Sequence, residues 1–418
     1  MPDFSLEELI ELPGVHLIQK GLSQNFSGLH FDSRKIRPGD GFLARTGQSQ
    51  DGHKFIDSAI QSGATLVILQ NPQKILDSVT VIKHHEPFEV LQNLAQNVRK
   101  KSPRLVIGVT GSVGKTSTKE CLRALLGNNA FASSGNYNNL TGLPISILQC
   151  PSGSGYLVLE MGISEVGEMG SLASIACPDL MVITGVFSSH LAQFESYEDL
   201  VKEKLSCLKY LNPEGHVFLP ENLLPALKRY WPQVKFVLLK NDSDSDSEFS
   251  EKLGQGPYLS YEIAAQVARF LGVSDSEILL RRNEISLAPL RMQRVHSSGI
   301  QWILDCYNSS PQSVKAFLES IKNEEPGLMV LADMKELGQD SDLSHISVLN
   351  QLEHLNGWEV LFLGDCFHKA LHGYSSRSSW HKVGNKEEVL RWISEKKPTK
   401  IALKGSRFYA LETLCCTN

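Results

Sequence analysis

None of the eight cysteines stands at Cys-x-x-Cys spacing, and Cys415 and Cys416 are simply adjacent near the tail. The thiols therefore read as buried or incidental groups in a reducing compartment. No stretch approaches the roughly 20 apolar residues of a membrane span. The first residues, Met1–Glu11, are acidic and mixed, without the basic start and apolar run of a signal peptide. Basic excess is missing too: 41 Lys and Arg against 46 Asp and Glu leave a formal charge of −5. Nothing there neutralises a phosphate backbone, which excludes nucleic acid as a partner class. These absences describe a cytoplasmic protein with no membrane segment.

What is present is ordinary globular material, 41% apolar and 21% charged over 418 residues. At about 100–200 residues per domain the chain holds two to four domains, and three segments emerge. Residues 1–102 carry Asp32-Ser33-Arg34, Pro38-Gly39-Asp40 and Asp51-Gly52-His53, then a helical stretch at 55–62 and an apolar strand at 65–69. Residues 103–294 open on a strand at 105–110, a glycine turn and a helix at about 116–126, with further apolar runs at 156–159, 180–183 and 234–239. Continuous apolar runs separated by helical patterns indicate parallel strands buried on both faces. The acidic, serine-rich stretch 241–248 reads as an exposed loop. Residues 295–418 alternate strands (300–304, 328–332, 360–363, 400–403) with helices (313–321, 345–355, 386–394), the pattern of a doubly wound sheet. Asp305, Asn308, Asp333, Asp365 and Lys404 follow these strands, at the edge where such sheets bind ligands. The expected class is α/β in three domains.

Local chemistry is densest at Thr110-Gly111-Ser112-Val113-Gly114-Lys115-Thr116-Ser117, between a strand and a helix. Glycines let backbone N–H groups turn around phosphate oxygens, Lys115 supplies positive charge, and the Thr116 hydroxyl can bind Mg²⁺. The usual spacing of this motif places a glycine where the chain has Val109. A nucleotide is implied, but not a reaction. Glu160 ends the strand Leu157-Val158-Leu159-Glu160, facing the same sheet edge, and offers a hard oxygen ligand suited to Mg²⁺. His190 follows the strand at 180–183, and Lys204 lies in a helical stretch at 198–208. Taken singly, each of the three is more often structural; they gain weight as a set.

The same residues resemble the Mur ligases of peptidoglycan synthesis, nearly end to end. The resemblance is carried by Asp32-Ser33-Arg34 with Asp51-Gly52-His53, by Thr110–Thr116 continuing into Ser117-Thr118-Lys119-Glu120, and by Gly135-Asn136-Tyr137-Asn138-Asn139. It continues through Glu160-Met161-Gly162, His190-Leu191 with Phe194, Asp305–Pro311, Asp333–Gly338 and Lys404-Gly405-Ser406-Arg407. It implies an N-terminal UDP-sugar-binding α/β domain, a central P-loop ATPase domain with a mostly parallel sheet, and a C-terminal Rossmann-like domain. It also implies ATP-dependent amide ligation through an acyl phosphate. Within the family the motifs favour the reaction joining D-alanyl-D-alanine to UDP-N-acetylmuramoyl-tripeptide, and a monomer is expected.

Site residues follow from that resemblance. Gly111, Ser112, Val113, Gly114, Lys115, Thr116 and Ser117 would hold ATP, with Arg291 and Asn308 on adenosine or the phosphates. Lys115, Glu160, His190 and Lys204 would be catalytic. A pair of Mg²⁺ ions would be held by Thr116, Glu160 and His190, with Lys204 serving as a carbamate. Lys202 competes for that role. Ser33, Arg34, Gly47, Asp51 and His53 would bind the UDP-sugar, and Asn138, Asn139, Lys404 and Arg407 would contact the substrates. The chain departs from the family pattern at Leu304, at Tyr307-Asn308-Ser309-Ser310-Pro311, at Lys204-Leu205-Ser206, and at Gly256–Tyr261, which stands where the family has a Gly-x-His-Asn-x-x-Asn element before a helix. Alternatives are a related ligase, such as a folate polyglutamate-adding enzyme or the third-residue ligase, a UDP-sugar-binding protein without turnover, and a GTPase. No Asn-Lys-x-Asp is present to support the last.

Overall fold

The structure, a computed structural model, describes residues 4–415 apart from 48–49, 74, 188–193, 195, 241–246 and 375–376. Beside a small antiparallel pair, Phe4–Ser5 with Asn25–Phe26, three larger sheets succeed one another along the chain. The first has five strands in the order His16–Gln19, Thr80–Lys83, Leu66–Leu69, Gly41–Ala44, Leu29–His30, parallel except where His16–Gln19 joins. The helix Pro87–Lys101 leads out of it, started by Pro87 in its first turn and by the Glu86 carboxylate accepting from Phe88 N–H.

The second sheet is wholly parallel and six-stranded: Lys235–Leu238, His216–Leu219, Leu180–Ile183, Leu105–Thr110, Tyr156–Glu160, Ala130–Ala132. Leu105–Thr110 is covered on both faces, so Val106 belongs to one hydrophobic cluster and Ile107 and Val109 to another. Each such side chain stabilises the sheet by roughly 1.5–3 kcal/mol relative to exposure. Because the chain leaves this strand first to one side and then to the other, the order reverses around it. That opens a crevice at its C-terminal end. The helix Lys115–Leu125 starts in that crevice and packs on Gln255–Phe270.

The third sheet also has six strands: Gln293–Ser297, Ile300–Asp305, Lys400–Lys404, Leu328–Ala332, Glu359–Leu363, Trp380–Val383, parallel beyond the first hairpin. Register sets Asp305 directly opposite Lys404 at the C-terminal edge. Between the second and third sheets, Arg291 is flanked by Leu290 and Met292, both in left-handed backbone at φ 63° and 51°.

Two expectations need correction. Of the stretch 241–248 read as a loop, residues 241–246 lie outside the description, but Ser247 and Glu248 begin the helix Ser247–Leu253. Gly256–Tyr261 does not precede a helix; it forms the first turns of Gln255–Phe270, where buried Tyr258 and Tyr261 join the core. No described helix is long and apolar enough to cross a membrane.

Candidate active site

The phosphate loop is built by positions that only glycine fills. Gly111 has φ 147°, and a Cβ there would sit 2.1 Å from the Thr184 hydroxyl oxygen. Gly114, at φ 86°, is the residue from which the helix Lys115–Leu125 departs. Thr184 Oγ1 donates to Val113 O at 2.6 Å, and Ser112 N–H donates to Gly185 O at 2.7 Å, so the neighbouring strand end clamps the loop. Lys115 Nζ folds back to donate to Gly111 O at 2.9 Å and Ser112 O at 3.3 Å. Desolvation, partly opposed by the Glu160 charge, lowers its pKa from the ordinary lysine range.

Glu160, 2% exposed, ends its strand beside this loop. Its Oε1 accepts from Asn138 Nδ2 at 2.8 Å, while Oε2 is buried without a hydrogen-bond partner. Behind it lies Lys119, whose side chain is fully buried, donating to Ser133 O at 2.6 Å and Gly135 O at 3.2 Å. Lys119 Nζ stands 3.9 Å from Glu160 Oε2 and 3.1 Å from Glu120 Oε1. Sequence reasoning gave Lys119 no role. Its spacing from Lys115, one helical turn on, was the available signal.

Lys204, also 2% exposed, donates to Gly111 O at 3.2 Å. Burial first, and the Lys115 cation second, hold its amine down at about 7. Lys202 is exposed on the same helix, over the Tyr230 ring. His190 lies outside the described residues.

The C-terminal sheet closes the other wall. Arg291 donates to Thr116 Oγ1 at 3.0 Å, and its guanidinium lies 4.5 Å from the Tyr307 ring centre. Lys404, 2% exposed in its side chain, donates to Asn308 O at 2.6 Å and pairs with Asp305 at 3.1 Å. Its charge therefore holds the Asp305–Asn308 turn, and Asp305 is a site residue the sequence reading left without a role. One cavity of about 380 Å³ unites these groups: Lys115, Thr116, Glu160, Lys204, Asn138, Asn139, Arg291, Asn308 and Lys404 all line it.

Other expected residues lie outside that cavity. Arg34 borders a separate cleft of about 280 Å³ with Lys35, Arg37 and His30. Its guanidinium grips both Asp32 oxygens at 2.8 Å and pulls that carboxyl down to about 2. Ser33 is buried beside it. Asp51 accepts from His53 N–H and from its Nδ1 at 2.7 Å, and His53 Nε2 accepts from Asn71 N–H. Together with Gly47 N–H donating to Gln50 O, these bonds shape the loop. Lys35 bridges to the Tyr137 phenol, tying this part of the chain to the segment that bears Asn138. Arg407 is exposed and paired with Glu412 at 2.7 Å.

A second cluster, Asp333, His345 and Cys366, has ligand-like spacing. Its lone pairs are occupied: Asp333 accepts from Cys366 and Phe367 N–H, while His345 Nε2 accepts from Met334 N–H and Nδ1 donates to Ser341 O. It is a structural knot under the strand Leu328–Ala332.

Residues 25–109 match the profile described as Mur ligase family, catalytic domain; residues 109–248 match the Mur ligase middle domain; residues 290–406 match the Mur ligase glutamate ligase domain. The UDP-N-acetylmuramoyl-tripeptide–D-alanyl-D-alanine ligase of Synechocystis is 30% identical, covering 79% of this chain and 78% of the relative. Its Rickettsia prowazekii counterpart is 29% identical over 94% of this chain and 95% of the relative. Among solved structures, the MurF ligase of Thermotoga maritima in complex with ADP superposes with a TM-score of 0.76 at 26% identity, covering 93% of this chain and 96% of that one. MurF from Acinetobacter baumannii gives 0.88 at 22% identity, covering 100% and 98%, a likeness of fold.

Proposed function

The chain belongs to the Mur ligase family, and on that premise we propose that it is an ATP-dependent amide ligase joining D-alanyl-D-alanine to UDP-N-acetylmuramoyl-tripeptide in peptidoglycan precursor synthesis. One observation carries the reading: Lys115, Thr116, Glu160, Lys204 and Asn138 line a single cavity with the C-terminal residues Arg291, Asn308 and Lys404. A triphosphate, a carboxylate and an amine must all meet in such a space.

The peptide carboxylate oxygen attacks the γ-phosphorus of ATP, and ADP leaves with the bridging oxygen. The acyl phosphate is then attacked at carbon by the dipeptide amine, the amine gives up a proton, and inorganic phosphate departs. The N–H groups of the phosphate loop and Lys115 neutralise charge on the transferring group, and Arg291 reaches it from the opposite wall. Walls from two sheets keep water from an easily hydrolysed intermediate.

Mg²⁺ fits the donors present. Glu160 Oε2 is buried without a partner, the Thr116 hydroxyl lines the same space, and both are hard oxygens. Thr116 and Glu160 would hold one ion, and Glu160, His190 and a carbamylated Lys204 a second; when bound, the ions supply charge neutralisation on the phosphates. The cationic cleft at Arg34, Lys35 and Arg37 suits the diphosphate of the UDP-sugar, and Ser33, Gly47, Asp51 and His53 would bind the same substrate. Asn138 and Asn139 would face the acyl end, and Lys404 and Arg407 the amine substrate. The division at residues 102 and 294 and a cytoplasmic monomer belong to the same reading.

Phosphate release by the purified protein tests it. UDP-N-acetylmuramoyl-tripeptide and D-alanyl-D-alanine together should drive release from ATP, and folate with glutamate should not. Release with the folate pair alone would reassign the substrate, and release with neither pair would refute ligation.

A further inference from the structure

Beyond the phosphate loop the cavity runs on between the helices Gln255–Phe270 and Pro311–Ile321. A nucleotide with its phosphates on Gly111–Ser117 must place its base along this stretch, because the opposite end is occupied by Asn138, Glu160 and Lys204. The surfaces offered to the ring are apolar: Pro257, Met292, Ala316 and Phe317.

Among the described residues, the polar side chains on that stretch do not form a reader. Distinguishing adenine from a 6-oxo purine takes a fixed donor or acceptor that is left unpaired by the wrong base. Ser313 Oγ donates to Ser310 O at 3.0 Å and accepts from Ser310 N–H at 2.8 Å. Ser320 Oγ donates to Ala316 O at 2.7 Å and accepts from Gln255 N–H at 2.7 Å. Ser260 Oγ donates to Gly256 O at 3.3 Å. Each hydroxyl is thus already spent on the backbone of these two helices and their caps, and a hydroxyl can turn to suit either base at a cost of roughly tenfold or less in affinity. Asn308 has its carbonyl oxygen held by Ser309 N–H at 2.8 Å, which leaves N–H donors for the ring-nitrogen acceptors common to all purines. Pro257 and Pro311, in the first turns of the two helices, carry no N–H. The amide oxygen of Gln312, buried without a partner, is not part of the cavity wall.

We infer that this site holds the purine ring by apolar contact and by Asn308 N–H donors that any purine can meet, so that ATP, GTP and ITP all serve as phosphoryl donors. The inference rests on the phosphoryl-transfer reading of the cavity and deepens it to a class of substrate.

Calorimetric binding of ADP, GDP and IDP in the presence of Mg²⁺, beside phosphate release from the three triphosphates, tests it. Dissociation constants within about tenfold of one another are expected. A preference for ADP beyond tenfold, or failure of all three to bind, overturns the inference. Binding decides it whatever the turnover: equal binding without release would refute the ligase reading and leave the base tolerance standing. Asn308→Ala should weaken ADP and GDP by the same few-fold factor, and loss of ADP alone would show that the amide reads adenine.

Discussion

Lys115 and Lys204, from different helices, donate to one carbonyl oxygen, that of Gly111, at 2.9 and 3.2 Å. Two ammonium groups cannot converge there cheaply: burial lowers the pKa of Lys115, and burial together with the Lys115 charge holds Lys204 at about 7. A lysine that is substantially neutral near physiological pH can capture CO₂, and the resulting anion would relieve the repulsion from Lys115. This relationship separates Lys204 from exposed Lys202 more clearly than spacing does.

Turnover should therefore depend on bicarbonate and pH together. As pH falls through about 7, the Lys204 amine takes up a proton and cannot form the carbamate, so phosphate release should drop and added bicarbonate should offset part of the loss. A rate indifferent to bicarbonate on both sides of that pH would remove the carbamate. Lys204→Ala should be inactive yet partly rescued by a small carboxylic acid; full activity without rescue would reject the role.

The same group has a stability signature. Its folded pKa, about 7, lies below the ordinary lysine value of 10.5, so the unfolded chain binds the proton more tightly. Uncarbamylated protein should lose stability as pH falls from 10.5 towards 7, with a constant penalty below that, where both states are protonated. Lys204→Met should raise stability at neutral pH by up to roughly 5 kcal/mol while abolishing turnover. Denaturant melts in CO₂-free buffer measure this, and a destabilised Lys204→Met protein would contradict it.

Lys115→Ala and Glu160→Ala should each lower turnover by roughly a thousandfold or more. Neither residue should matter to binding of the UDP-sugar, since the cleft proposed for it is separate from theirs. Single-turnover kinetics with a binding titration would show the split, and near-normal rates in either variant would dissolve the assigned site.

Lys119 should prove as important, although it does not line the cavity. Its buried charge answers Glu120 and Glu160 and pins Ser133 and Gly135, just ahead of Asn138. Lys119→Met should cost roughly 3–5 kcal/mol of stability and lower the affinity for Mg²⁺ through the displaced Glu160. A stable variant with unchanged Mg²⁺ dependence would confine Lys119 to packing.

Much of the architecture was legible because buried parallel strands are written as continuous apolar runs. Leu105–Thr110, Leu180–Ile183 and Leu328–Ala332 begin and end where those runs do. Phosphate-loop chemistry was legible for a similar reason: glycine, lysine and threonine act through local backbone geometry. Less legible was whatever depends on a partner distant in sequence. His16–Gln19, mostly exposed, becomes a strand only by pairing with Thr80–Lys83. Gly256–Tyr261 stands where the family has an element before a helix but lies within one, since Tyr258 and Tyr261 bury against the central core. That Lys404 also pairs with Asp305 could not be read from the sequence, because the two are far apart in the chain and meet only across the ladder.

Transfer of a carboxylate oxygen to phosphate is the most direct test of the whole account. UDP-N-acetylmuramoyl-tripeptide carrying heavy oxygen in its terminal carboxyl group would be ligated with ATP and D-alanyl-D-alanine, and the released phosphate analysed by mass. An acyl phosphate predicts one heavy oxygen in each phosphate released; phosphate carrying none would show that the carboxyl group never attacks the nucleotide.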